Sequence, residues 1–272
     1  MVWNLVRIAR LKYGDYGPII VNNQLKRILS VKKKHKFLFI LSPPYCGSTL
    51  LSELISTSKS VSLNNPFGYL EGQGLPTIRN IMFDVDRRWD ESYEYNWYRI
   101  KKEWMKYWDQ TCPVLLEKSP PNIIRAQSIR RNFTPSYFII LYRNPYAQCQ
   151  SLIKRKKNNP VIAAEFAIKC LRHQMNNILQ LNQSLQLSYE SLTDNPYYIS
   201  KQIKNLVPEL NDIQVPDQLS AYNYLKKKMG IMNLNHDKVS FLGRDEIKMI
   251  NTVFCRHHDV LDFFNYSLME ED

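Results

Sequence analysis

The feature that most constrains this chain is a five-residue apolar run, Phe37-Leu38-Phe39-Ile40-Leu41, that stops at Ser42-Pro43-Pro44 and turns through Tyr45-Cys46-Gly47. A short apolar run without polar alternation reads as a strand buried on both faces, as in a parallel sheet. The next residues, Ser48-Thr49-Leu50-Leu51-Ser52-Glu53-Leu54-Ile55, have helical apolar spacing behind a Ser/Thr start. Strand, glycine turn and helix N-terminus in succession make an anion site, because backbone N–H groups converge there and the helix dipole adds positive potential. Gly47 lets the backbone approach a ligand, and Ser48 and Thr49 add hydroxyl donors. The ATP/GTP form of such a loop needs GxxxxGK[ST]. Here no glycine stands five residues before Gly47, and Ser48 occupies the lysine position. Both departures speak against an ordinary P-loop kinase or NTPase.

Further strands are expected at Val114–Glu117, Tyr137–Tyr142 and Leu185–Tyr189. Between the last two lies a helical stretch with Ile168, Leu171, Met175, Ile178 and Leu179 at spacings of three and four. Strands alternating with helices predict an α/β fold: a single P-loop-type domain with a central parallel β-sheet flanked by helices. No internal repeat or low-complexity linker divides residues 1–272. The expected order is a basic lead-in (1–35, ending Lys32-Lys33-Lys34-His35), a core (36–200) and a helical C-terminal part (201–272) with a last helix near 245–264. Residues 87–110 hold four tryptophans, Trp89, Trp97, Trp104 and Trp108, and four tyrosines. The plainer reading is an amphipathic helix packed on the core; the sharper one is an aromatic wall or lid of a pocket.

Lys and Arg number 37 against 25 Asp and Glu, a formal charge of +12. That excess points to an anionic partner: nucleic acid, an anionic membrane or a phosphorylated ligand. No nucleic-acid module signature appears, and no run reaches the ~20 apolar residues of a membrane span. The first seventeen residues mix Arg and Lys with apolar residues and make a poor secretory signal. The five scattered cysteines contain no CxxC pair, as expected of reduced thiols in a cytoplasmic protein. Cys255-Arg256-His257-His258-Asp259 matches no standard zinc spacing and reads as an ordinary helix face rather than a metal site.

A second constellation follows the third strand: Arg143-Asn144-Pro145, with Ser151 eight residues beyond Arg143 and Arg155 one turn further. Arg143 would leave the strand end and Ser151 would sit about two turns into a helix, so both could close on one phosphate. The planar guanidinium suits such a phosphate through bidentate hydrogen bonds. Lys154, Lys156 and Lys157 extend the positive field; the plainer reading is a solvated basic helix start.

These elements resemble the sulfotransferases that use 3′-phosphoadenosine-5′-phosphosulfate (PAPS). Pro44-Tyr45-Cys46-Gly47-Ser48-Thr49-Leu50 is similar to the family's 5′-phosphosulfate loop, P-[KR]-S-G-[ST]-T. Tyr45 replaces its basic residue and Cys46 its serine. Arg143-Asn144-Pro145 with Ser151 is similar to the 3′-phosphate loop, R-[DN]-P-x(5)-S. Leu116-Glu117-Lys118-Ser119-Pro120 resembles the E-K-[ST]-P element, and Tyr189-Glu190-Ser191-Leu192 with Asn195-Pro196 the Y-E-x-L-x-x-x-P element. Together they cover residues 36–200, with closest flavour to bacterial small-molecule and tyrosylprotein sulfotransferases.

The resemblance implies that PAPS is the sulfuryl donor and PAP (3′-phosphoadenosine-5′-phosphate) the product. Donor contacts would come from Tyr45, Cys46, Gly47, Ser48, Thr49, Leu50, Arg143, Ser151 and Arg155, with Tyr189 near the adenosine. It also implies Glu71, in Phe67-Gly68-Tyr69-Leu70-Glu71-Gly72-Gln73-Gly74, as the general base, against a plainer reading as a solvated loop carboxylate. Lys118 would be the cation on the bridging or sulfuryl oxygens, against a plain surface lysine. No metal is required in principle. The histidine base of phenol-type members would fall near Pro120 and is excluded. Tyr45 carries no fixed charge, so Lys118 or Lys226-Lys227-Lys228 would supply it, or the chain would bind PAPS or PAP without transfer. A P-loop nucleotide kinase is the weaker alternative. The expected acceptor is a small molecule with a hydroxyl or amine, with neither nucleic acid nor membrane as partner.

Overall fold

The computed structural model describes residues 2–30, 34–84, 86–157, 159–220 and 230–270. Two helices, α1 (Val2–Tyr13) and α2 (Gly17–Leu29), lead into β1 (Lys36–Leu41), α3 (Ser48–Ile55) and β2 (Val61–Leu63). Helices α4 (Arg79–Met82) and α5 (Trp97–Tyr107) precede β3 (Val114–Lys118), α6 (Ala126–Asn132) and β4 (Ser136–Tyr142). Next come α7 (Pro145–Lys156), α8 (Pro160–Gln180), β5 (Ser184–Ser188), α9 (Tyr189–Asp194) and α10 (Pro196–Leu206). The described chain ends with α11 (Asn235–Val239), α12 (Arg244–Phe254) and α13 (His258–Phe263).

All five strands run parallel in the order β2-β3-β1-β4-β5, the helix-flanked parallel sheet expected of the sequence. The connection leaving β1 turns toward one edge of the sheet and that leaving β4 toward the other. Their carboxyl ends therefore flank a topological switch point, where ligand crevices form in α/β sheets.

Burial on both faces accounts for the unbroken apolar runs. Phe37, Phe39 and Leu41 enter one core with Trp97, Trp104 and Phe133, whereas Leu38 and Ile40 enter another with Leu50, Leu51 and Leu54. A central strand with no solvent face has no position for a polar alternate. The aromatic segment divides between its two readings. Trp97, Trp104, Tyr107 and Trp108 are buried core, with Trp108 Nε1 donating to the Leu116 carbonyl at 2.9 Å and Trp104 Nε1 to that of Gly72 at 3.3 Å. Trp89 instead lines the cleft described below.

Two local expectations gain detail, at the lead-in and at Leu179, and two need correction, at Tyr189 and in the last helix. Most of the basic lead-in is a helical hairpin, closed at Gly17, where a Cβ would lie 2.5 Å from the Ala9 carbonyl carbon. The hairpin docks through Asn23 Nδ2, which donates to the Tyr107 carbonyl at 2.6 Å. Tyr189 opens a helix instead of ending a strand, because Ser188 and Ser191 form a reciprocal capping box there. Leu179 is exposed, while Ile168 and Leu171 of the same stretch are buried. The last helix is broken at Cys255–His257, so residues 255–259 straddle a turn and the start of α13 and are not one helix face; Val260 and Phe264 thereby fold back onto Leu171. Strand β2, three residues at the sheet edge, had no recognisable sequence signal. Among the described residues no helix is long and apolar enough to cross a membrane.

Candidate active site

The loop after β1 is held in a shape that only particular residues permit. Gly47 has φ +90° and caps α3, and Tyr45 before it also lies in the left-handed region at φ +65°. A Cβ on Gly47 would sit 2.5 Å from Cδ2 of Tyr189. That ring is fixed: its hydroxyl donates to the Met232 carbonyl at 3.1 Å and accepts from Leu234 N at 3.2 Å. Cys46 is buried, and burial pushes its thiol well above the usual range, so it packs as a small apolar residue. The Leu50 side chain belongs to the core behind the loop.

The loop after β4 closes on the first. Arg143 stacks its guanidinium 4.0 Å over the Tyr189 ring, donates from Nη1 to the Tyr45 carbonyl at 2.8 Å and from Nε to Asn235 Oδ1 at 2.6 Å. Its Nη2 is buried without a hydrogen-bond partner among the described residues. Ser151 lies two turns into α7 with its hydroxyl donating back to Ala147 O at 3.1 Å. Arg155, one turn on, holds its guanidinium 5.5 Å from the Tyr45 ring. Gln148 of α7 donates to the Pro44 carbonyl at 3.2 Å, and Gln174 of α8 donates to the carbonyls of Leu41 and Leu141 at 2.7 and 2.8 Å. Glu190 accepts from Asn144 N at 2.9 Å and from Asn235. The Tyr189-Glu190 pair thus serves both loops, the ring under Gly47 and the carboxylate on the Asn144 turn.

A third group lies at the end of β3, next to β1 in register (Ile40 opposite Lys118). Lys118 is only 1 % exposed, contacts Thr49 Oγ1 at 3.4 Å and the Tyr69 carbonyl, and lies 3.7 Å from Glu71 Oε1. Burial holds the ammonium below its ordinary pKa, opposed by the Glu71 and Glu117 carboxylates. It is no surface lysine. Glu71 sits between two cations, with Arg88 Nη2 at 3.9 Å from Oε2, and accepts from Gln73 Nε2. The neighbouring Glu117 points into the protein. It accepts from Gly72 N, Ser119 Oγ and Asn122 Nδ2, and burial pushes its carboxyl up to about 7.

These pieces border one cleft of about 1500 Å³, lined by every candidate residue named above except Cys46. Sequence reasoning missed Arg88, Asn235, Lys238 and Gln174. Burial, and then the charges of Arg155, Arg143 and Lys154, lower the Lys238 ammonium pKa against the opposing pull of Asp237. Arg88 lay inside the aromatic segment as one of several charges, and Lys238 stands far from either loop in sequence. The alternative cations Lys226, Lys227 and Lys228 lie outside the described residues. Among those described, no group of three or more His, Cys, Asp or Glu is placed to hold a metal ion.

No protein-family model matches the sequence, and no curated protein matches it. Solved structures do match. The sulfotransferase domain from the curacin biosynthetic pathway is 18 % identical at a TM-score of 0.55, over 87 % of this chain and 100 % of that one. The sulfotransferase domain of the Synechococcus PCC 7002 olefin synthase is 21 % identical, TM-score 0.51, over 88 % and 98 %. A sulfotransferase from Alicyclobacillus acidocaldarius is 11 % identical, TM-score 0.51, over 88 % and 98 %.

Proposed function

We propose, from a chain with the sulfotransferase fold, a PAPS-dependent enzyme that transfers the sulfuryl group to a hydroxyl or amine of a small molecule. The observation that supports this best is the pair of anion-binding regions on one cleft. The first is the start of α3 at Gly47, Ser48 and Thr49, with Lys118 beside it. The second is Arg143, whose Nη2 has no partner among the described residues, together with Ser151, Arg155 and Lys238. A donor with phosphate at both the 5′ and 3′ positions needs two such regions; an ordinary nucleoside diphosphate needs one.

PAPS supplies an activated sulfuryl group on its 5′-phosphate. The residues of this chain hold and polarise it. The N–H groups of the α3 start, which have no intrahelical acceptor, and the Ser48 and Thr49 hydroxyls hold the 5′ end. Arg143, Ser151 and Arg155 hold the 3′-phosphate, and Tyr189 flanks the adenosine. In the transfer the acceptor oxygen or nitrogen bonds to sulfur while the bond from sulfur to the bridging phosphate oxygen breaks. The electron pair leaves with PAP and the acceptor proton passes to Glu71. Lys118 meets the charge developing on the bridging oxygen, a role the buried ammonium performs without reorganisation. Tyr45 leaves that charge to Lys118.

A second reading, donor binding without transfer, is favoured by Tyr45 alone. Calorimetric titration of PAP against ADP, without added metal, tests the donor site; tight PAP binding with weak ADP binding is expected, and equal or absent binding refutes it. Transfer of labelled sulfate from PAPS to a panel of small alcohols, phenols and amines separates the two readings: PAP binding with no labelled product favours the second.

A further inference from the structure

The acceptor half of the cleft holds a cation that neither the donor contacts nor the transfer step uses. Arg88 is 20 % exposed at its side chain and lines the cleft. Phe83 lies under its guanidinium at 4.4 Å, and Nε donates to Gln73 Oε1 at 3.0 Å. Neither Nη nitrogen hydrogen-bonds a described residue; the nearest carboxylate oxygen, of Glu71, is 3.9 Å away, beyond hydrogen-bond length. The backbone that carries Arg88 is itself built in. Arg125 is buried and directs its guanidinium at the carbonyls of Arg87, Arg88 and Asp90 at 3.0, 2.9 and 2.8 Å. Arg125, which also donates to the Pro121 carbonyl at 3.4 Å, fixes the loop that carries Arg88, and Gln73 and Phe83 orient the fork.

The surroundings of that fork are aromatic. Trp89 packs edge-on against Phe166 at 4.9 Å, and both line the cleft along with Phe83 and Tyr69. Burial lowers the Arg88 guanidinium's pKa, against the opposing pull of Glu71. A guanidinium held in an apolar frame with free N–H groups is a receptor for a planar anion, because a bidentate carboxylate replaces lost hydration with two charge-assisted hydrogen bonds. Glu71 does not fill that role. Its carboxylate is shared with Lys118 at 3.7 Å and with Gln73, so two cations face one anion.

We infer that the acceptor is an amphiphilic alcohol or amine bearing a carboxylate, with its apolar body between Phe83, Trp89 and Phe166 and its carboxylate on Arg88. This inference rests on the sulfotransferase reading, and it narrows the acceptor to hydroxy or amino acids with an aromatic or alkyl body. In this geometry Arg88 orients the acceptor, leaving the nucleophile toward Glu71 and Lys118.

The test is calorimetric titration of two hydroxy acids, 4-hydroxyphenylacetate and 3-hydroxydecanoate, each beside its methyl ester, into the protein with and without PAP. At least one acid is expected to bind about 10-fold or more tighter than its ester. Arg88→Gln should abolish that preference, and Arg88→Lys, which keeps the charge but not the fork, should restore only part of it. Unchanged PAP affinity in both variants would confirm that the loss is on the acceptor side. Esters that bind as well as the acids, acids that do not bind at all, or a preference that survives Arg88→Gln would each overturn the inference. Absence of PAP binding would refute the donor reading instead, and the acid-over-ester comparison on the PAP-free protein would still judge Arg88.

Discussion

Glu117→Gln isolates how the buried scaffold under the candidate site responds to pH. The Glu117 carboxyl is fully buried, and burial outweighs its three hydrogen-bond donors and the nearby Lys118, moving it from the usual 4.5 to about 7. The folded chain therefore holds this proton more tightly than the unfolded chain. Its stabilising effect is complete below pH 4.5 and is lost as pH rises through about 7. At ~1.4 kcal/mol per pH unit, the fold gives up about 3 kcal/mol across that window, a large share of a typical 5–15 kcal/mol stability. Glutamine stays neutral. Its oxygen can still accept from Gly72 N and Ser119 Oγ, and rotating the Asn122 amide lets Oδ1, which has no partner among the described residues, accept from the new Nε2. Urea denaturation of both proteins from pH 4.5 to 8 reads the difference, since titrating groups not coupled to Glu117 cancel. The wild type should lose stability relative to Glu117→Gln by up to ~1.4 kcal/mol per pH unit as pH rises, with the variant more stable at pH 8. Parallel pH profiles would show that Glu117 is ionised in the fold throughout and that the buried-proton reasoning is wrong.

Three further substitutions probe the cleft. Arg143→Ala should weaken PAP about 10- to 100-fold by calorimetry, from the loss of charge-assisted hydrogen bonds, and leave weak ADP binding unchanged. Gly47→Ala should cost about 1–2 kcal/mol for the left-handed backbone and roughly 1–3 kcal/mol for overpacking against Tyr189; thermal melts and PAP titration should both fall, and a normal melt would contradict the packing. Lys118→Met, which keeps the length without the charge, should lower transfer about 100-fold or more and also weaken PAP, whose 5′-phosphate retains the bridging oxygen; unaltered kcat would remove Lys118 from the reaction.

The strand–turn–helix around Gly47, the β4 strand and the Arg143 turn were legible because local chemistry dictates each one. A doubly buried strand admits no polar alternate, and Asn144 followed by Pro145 starts a helix wherever it stands, here by accepting from Tyr146 N and Ala147 N. The helix-flanked parallel sheet follows from that alternation, and so does the placement of both loops at carboxyl ends. Other features needed the assembled molecule. The lead-in folds as a hairpin because α2 finds α5 to dock on, and α13 turns back because Val260 and Phe264 find Leu171. Neither partner is near in sequence. Tyr189 reads as strand by its alternation with Leu185 and Leu187, but its work is done through Gly47 and Arg143, each more than forty residues away. Arg88, Gln174 and Lys238 acquire meaning only from what surrounds them in space. Short-range sterics and capping thus write the elements and the loops at their ends into the sequence. Burial and charge around a side chain depend on long-range contacts, so only the tertiary structure decides which lysine is buried, which arginine keeps N–H groups that no described residue accepts and which carboxyl keeps its proton.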